Sequence, residues 1–215
     1  GLLHRPVVGP LVRVRQGERA EVATRAEAWW PWMTAHPRVE GDTLVLADCG
    51  FMCSASYDVT VQRPLEITGD AGSGSVRLDG TGRVALTAGS GDVTVTASHG
   101  TVEVRAGSGR ITVEDAASAV TVQAGSGDIE LLRVRGAVSA EAGSGSVEVA
   151  LASTVDVRAK TGSGDITVQV PQGSTWNVAG NSGSGDRDVT VKQASGAPHT
   201  LTLDSGSGDV EAAER

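Results

Sequence analysis

Aromatic side chains are nearly missing: one Tyr, one Phe and four Trp make up 3% of 215 residues. Conventional globular cores lean heavily on such rings, so this chain must bury thin aliphatic layers instead. Cysteine is limited to Cys49 and Cys53. That excludes a disulfide-dense scaffold. It also leaves a zinc site short, since two thiolates need two further ligands, and His4, His36, His99 and His199 are not near them in sequence. Basic residues number 18 against 26 acidic ones and form no cluster, so the net charge of −8 argues against a nucleic-acid partner. No run of about 18 apolar residues exists, so no membrane-spanning helix is predicted.

What the chain has is repetition. Gly-Ser-Gly begins at Gly72, Gly89, Gly107, Gly125, Gly143, Gly162, Gly183 and Gly206. Self-similarity at a period near 20 residues is the signature of a solenoid. A finer period lies inside it. Val84, Val93, Val102, Ile111, Val120, Ile129, Val138 and Val147 recur together with Leu86, Val95, Val104, Val113, Val122, Leu131, Ala140 and Val149 two positions on. Polar or small residues such as Thr94, Glu103, Thr112 and Thr121 separate each pair. This alternation, with β-branched residues, predicts strands with one face inward and one to water.

Gly-Ser-Gly marks every second turn, so one coil spans about 18 residues and holds two main strands. A three-sided helix of hexapeptides would need apolar residues every sixth position, and His99 and Arg105 after Val93 do not fit it. The expected fold is all-β: a parallel β-solenoid of two facing sheets, right-handed because parallel crossovers usually are. Glycine suits a corner repeated coil upon coil, and the serine column is expected to hydrogen-bond along the stack or cap corner N–H groups.

Residues 1–52 lack the nine-residue period and hold most of the aromatics. They are expected to form an N-terminal β cap carrying Trp29, Trp30 and Trp32, with residues 53–215 forming one continuous solenoid. Val12-Arg13-Val14 and Thr43-Leu44-Val45-Leu46 read as strands of that cap. The C-x3-C spacing of Cys49 and Cys53 suits a small disulfide loop in an extracytoplasmic protein; two reduced buried thiols are the alternative. The first residue is Gly1, not Met. A processed product is expected, with a signal or membrane anchor upstream.

Gly41 to Leu46, Cys53 to Val61 and the unit Ser182-Gly183-Ser184-Gly185-Asp186-Arg187-Asp188-Val189 resemble one bacterial family. It is an adhesin-like, β-strand-repeat family of unknown function in cell-envelope proteins, often actinobacterial. The resemblance covers roughly residues 38–211. It implies an envelope or secreted location, and an anchor in many members. One related group sits beside envelope-stress signalling genes. No functional residues are established for the family, so none is carried over.

Among candidate sites, Asp92, Asp128, Asp165, Asp186 and Asp209 follow Gly-Ser-Gly and are weak calcium candidates. Calcium wants six to eight oxygens, and Ser75, Arg110 and Ser146 interrupt the column. The plainer expectation is that each Asp bonds its own turn, with no metal and no cofactor. Thr94, Thr112 and Thr167 could suggest an ice-binding array, but Glu130 and Glu148 break their column. The tryptophans could stack on carbohydrate, or simply cover the open end of the core. No carboxylate pair or Ser-His-Asp order nominates catalysis. The expected function is a non-catalytic envelope interaction or scaffold module whose partner is an envelope protein or glycan. An accessory sensor domain in envelope-stress signalling is the alternative, and a polysaccharide-acting enzyme is third.

Overall fold

A computed structural model describes residues 6–7, 11–28, 37–41, 43–46 and 53–215. Among them there is no helix. Two long sheets dominate, of ten and eleven strands, with a small antiparallel hairpin of Arg38–Glu40 and Thr43–Val45. Apart from that hairpin and the pairing of Glu21–Ala28 with Cys53–Val61, every ladder is parallel. The chain is a β-solenoid, as its periodicity predicts.

Register follows the apolar period. Val93 lies opposite Ile111, which lies opposite Ile129. On the ten-stranded sheet Val102 lies opposite Val120, and Val120 opposite Val138. All sixteen residues of the two apolar series are buried, none more than 8% exposed. Side chains of period two can satisfy only one register when one face is buried, and this locks the strands together.

The glycine corners are set by close approach. A Cβ on Gly125 would sit 2.6 Å from the carbonyl oxygen of Gly107, the equivalent residue one coil below. The serines between act through the main chain: Gly127 N–H donates to Ser144 O and Gly145 N–H to Ser163 O, both at 2.9 Å. The column's hydroxyls make no hydrogen bonds among the described residues, so the expected side-chain ladder is replaced by a backbone one.

Coil order departs from chain order at both ends. On one sheet Thr200–Ser205 pairs with Val157–Ser163 on one side and Thr175–Ala179 on the other. On the other sheet Val210–Glu214 lies between Ile166–Val170 and Arg187–Val189. The last coil is therefore inserted beneath the one that precedes it in sequence. Likewise Leu11–Gln16, expected within the cap, lies between Ser75–Asp79 and Cys53–Val61. The outermost C-terminal coil is plugged by Trp176, fully buried, whose Nε1 donates to Ser174 Oγ at 2.8 Å.

The alternate corner carries left-handed residues. Gly80, Ala97, Asp115 and Arg133 have φ of 65°, 53°, 55° and 54°. Ala97 N–H donates to Glu114 O at 2.9 Å and Asp115 N–H to Leu132 O at 3.0 Å, so coil-to-coil bonds hold the conformation. Beside this column Thr81 and Ser98 are 1% exposed, and their hydroxyls have no partner. Removing an unsatisfied buried hydroxyl removes its desolvation cost. Ser98→Ala and Thr81→Val are each expected to hold or raise stability, by up to about 1 kcal/mol in urea titration.

Candidate functional site

The aspartates after Gly-Ser-Gly sit at one long edge of the stack and act between coils rather than within their own turns. Asp92 Oδ1 accepts the N–H of Arg110 at 2.9 Å, and Asp128 Oδ1 that of Ser146 at 3.1 Å. Asp165 Oδ1 accepts from Asp209 at 2.9 Å, and Asp209 Oδ1 from Asp186 at 2.8 Å. In-register stacking brings the next coil's corner N–H to each carboxylate, and that proximity decides the partner. One oxygen of each acceptor is thereby committed to the fold.

The densest charge cluster lies at the alternate corner, and the sequence reading missed it. Arg133 donates to Asp115 Oδ1 and Oδ2 at 3.0 and 2.9 Å and also contacts Glu114. Arg135 lies 4.0 Å from Asp115. The two aligned N–H···O bonds form a bidentate clasp between successive coils. The Arg133 hydrogen bond, with both arginine charges, holds the Asp115 carboxyl below its ordinary 3.8 against some desolvation. Asp128 is lowered too, first by the Ser146 N–H and then by Arg110, whose guanidinium is 3.2 Å from Oδ2. Both carboxyls have depressed folded values. Their contribution is therefore complete above about pH 4 and is lost as pH falls through the folded values. Thermal midpoints should be level from about pH 7 to 5 and fall below about pH 4, less steeply in an Asp115→Asn/Asp128→Asn variant.

The described histidines form no relay. His99 Nδ1 donates to Thr81 O at 3.3 Å; His199 tilts against Trp176 and lies 3.6 Å from Asp156 Oδ1. No group of three or more His, Cys, Asp or Glu that could hold a metal occurs among the described residues. At the N-terminal end, Val22, Val39, Leu44, Val59, Val61 and Leu65 line a shallow groove of about 510 Å³. Trp29, Trp30, Trp32 and Cys49 lie outside the described residues. Cys53 opens the strand Cys53–Val61, and its side chain also lies outside the description.

The sequence profile described as Toastrack DUF4097 matches residues 53–211. The chain belongs to this family. No curated protein matches it. A solved structure of a candidate adhesin from Bacteroides fragilis NCTC 9343 superposes with a TM-score of 0.60 at 15% identity, covering 99% of this chain and 93% of the other. A candidate cell-adhesion protein from Clostridium sporogenes ATCC 15579 aligns at 9% identity over 100% of this chain and 92% of its own, with a TM-score of 0.33. The Bacteroides likeness shows a shared fold. This Toastrack chain builds that fold with glycine corners and aspartate links repeated along the stack, and with an arginine clasp at Arg133.

Proposed function

We propose that this Toastrack protein is a non-catalytic, extracytoplasmic interaction or scaffold module of a bacterial envelope, adhesin-like in use. The observation that carries the reading is the regularity of its two outer faces. Parallel in-register strands set like positions about 4.8 Å apart, so each face presents straight columns of polar side chains on a rigid backbone. Such columns suit extended contact with a surface more than the enclosed chemistry of a catalytic cleft. The Bacteroides structure's description as a candidate adhesin fits the same use. The partner is an envelope protein or glycan, and an anchor outside this sequence would hold the module at the membrane.

Saturable binding of the labelled protein to intact envelopes is expected, with no product from a panel of envelope polysaccharides. Turnover of a glycan, or binding no better than a scrambled-charge control, would sink the reading. The location is tested separately through Cys49 and Cys53. In protein recovered from the producing cell, alkylation is expected only after reduction, read by mass. Free thiols there would remove the support for an oxidising compartment.

A further inference from the structure

The two outer faces arrange their charges differently. On the ten-stranded sheet one column reads Asp70, Thr87, Arg105, Gln123, Glu141, Lys160, Asp204. Arginine and lysine are interleaved with carboxylates, and the side chains bond along the stack. Arg105 Nε donates to Gln123 Oε1 at 3.1 Å, and Gln123 Nε2 to Glu141 Oε2 at 3.4 Å. In the adjoining column Arg158 Nε lies 3.9 Å from Glu141 Oε1. On this face charges of opposite sign alternate along the stack, and Arg105 also pairs with Glu103 at 2.7 Å.

The eleven-stranded sheet does the opposite. Its column reads Asp58, Arg13, Arg77, Thr94, Thr112, Glu130, Glu148, Thr167, Glu211, Asp188. Arg13 is the register neighbour of Arg77, and Glu130 that of Glu148. Like charges at adjacent positions destabilise a sheet. Arg13 has Asp58 at 3.8 Å, and Glu130 accepts from Thr112 at 3.5 Å. Arg77 and Glu148 are exposed and have no ion pair among the described residues.

From Arg13 to Glu148 the column is antisymmetric in charge about the step between Thr94 and Thr112. Turned end for end on a copy of itself, Arg77 falls on Glu130 and Arg13 on Glu148. We infer that this face is the interface of an antiparallel homodimer of the chain. A two-fold axis along the strands, through the threonine step, makes each pairing twice, as an isologous interface requires. The threonines at the centre are short and uncharged, so the two faces can approach there. A cationic partner would meet the glutamates but oppose the arginines; a second copy answers both. Charges that repel within one chain become complementary between two.

Sedimentation equilibrium tests this. Wild-type protein at about 100 µM is expected to dimerise at about 20 mM salt and to weaken at least tenfold at about 500 mM, where screening is far stronger. Between positions 13 and 148 of the column, Arg13→Glu/Arg77→Glu leaves only acidic charges, and Glu130→Arg/Glu148→Arg only basic ones. Each variant alone should be monomeric, and the two mixed should pair. The fourfold reversal should restore the homodimer. Arg158→Glu, on the other face, should leave association unchanged. If a double variant melts early, the single outward changes Arg77→Glu and Glu148→Arg carry the same test, each weakening the dimer at least tenfold. A wild-type monomer at both salts, or a dimer indifferent to these reversals, overturns the inference. Binding of polylysine without self-association would do so too.

Discussion

Val113→Asp should unfold the protein or cost it about 3 kcal/mol or more, the penalty of an unpaired carboxylate in an apolar interior. Val113 is 0% exposed, and its register neighbours Val95 and Leu131 are equally buried. No polar group on those neighbours could receive the charge. Net stability of a domain is only about 5–15 kcal/mol, so the loss is a large share of the whole. Thr112→Asp, one residue earlier, points outward. Its cost comes from repulsion by Glu130, the register neighbour, and should stay within about 1 kcal/mol. Urea titration of the two variants reads the contrast directly. Equal losses would mean that the inward register is not what holds the stack.

Gly125→Ala is the second large effect. The added methyl would meet a main-chain oxygen at 2.6 Å, and no side-chain rotation relieves that. The coil must lift away from its neighbour, loosening a ladder that runs from Val120 to Ser126 on both sides. About 3 kcal/mol is expected, at the upper end for overpacking. Gly196→Ala is the control. Nothing lies within 4 Å of its added Cβ, and its φ is not left-handed. There the change should be neutral or slightly stabilising, because it restricts the unfolded chain. Thermal midpoints of the pair decide whether the repeated glycines serve close approach or only flexibility.

The inward assignments were legible because burial imposes a period of two on every strand, and Val113 and Val122 could be placed without any partner in view. The glycine columns were legible for a related reason: each coil repeats one steric problem. Coil order was not. The units ending at Asp165, Asp186 and Asp209 carry the same Gly-Ser-Gly-Asp corner. Nothing local says which sits beside which. Long-range packing decided it, as the ladder from Val157–Ser163 to Thr200–Ser205 shows. The left-handed corner was hidden as well, since Ala97, Asp115 and Arg133 carry no glycine signal. The clasp that depends on that corner stayed hidden with it. Trp176 stands apart from the Trp29–Trp32 cluster, and its place in the alternation Thr175-Trp176-Asn177-Val178 is the one sequence sign of its inward position.

The inserted last coil changes how the stack would answer to mechanical load. In a solenoid wound in simple sequence order, a pull on the final strand peels an edge, one ladder at a time. Here tension applied at Arg215 loads Val210–Glu214, which is laddered to Ile166–Val170 on one side and Arg187–Val189 on the other. Unzipping must break both ladders and draw a strand out from between two neighbours. At the other end Leu11–Gln16 is gripped in the same way by Ser75–Asp79 and Cys53–Val61. Each grip works as a splice, and a module held by one end against drag or shear would begin to yield only after the splice gave way.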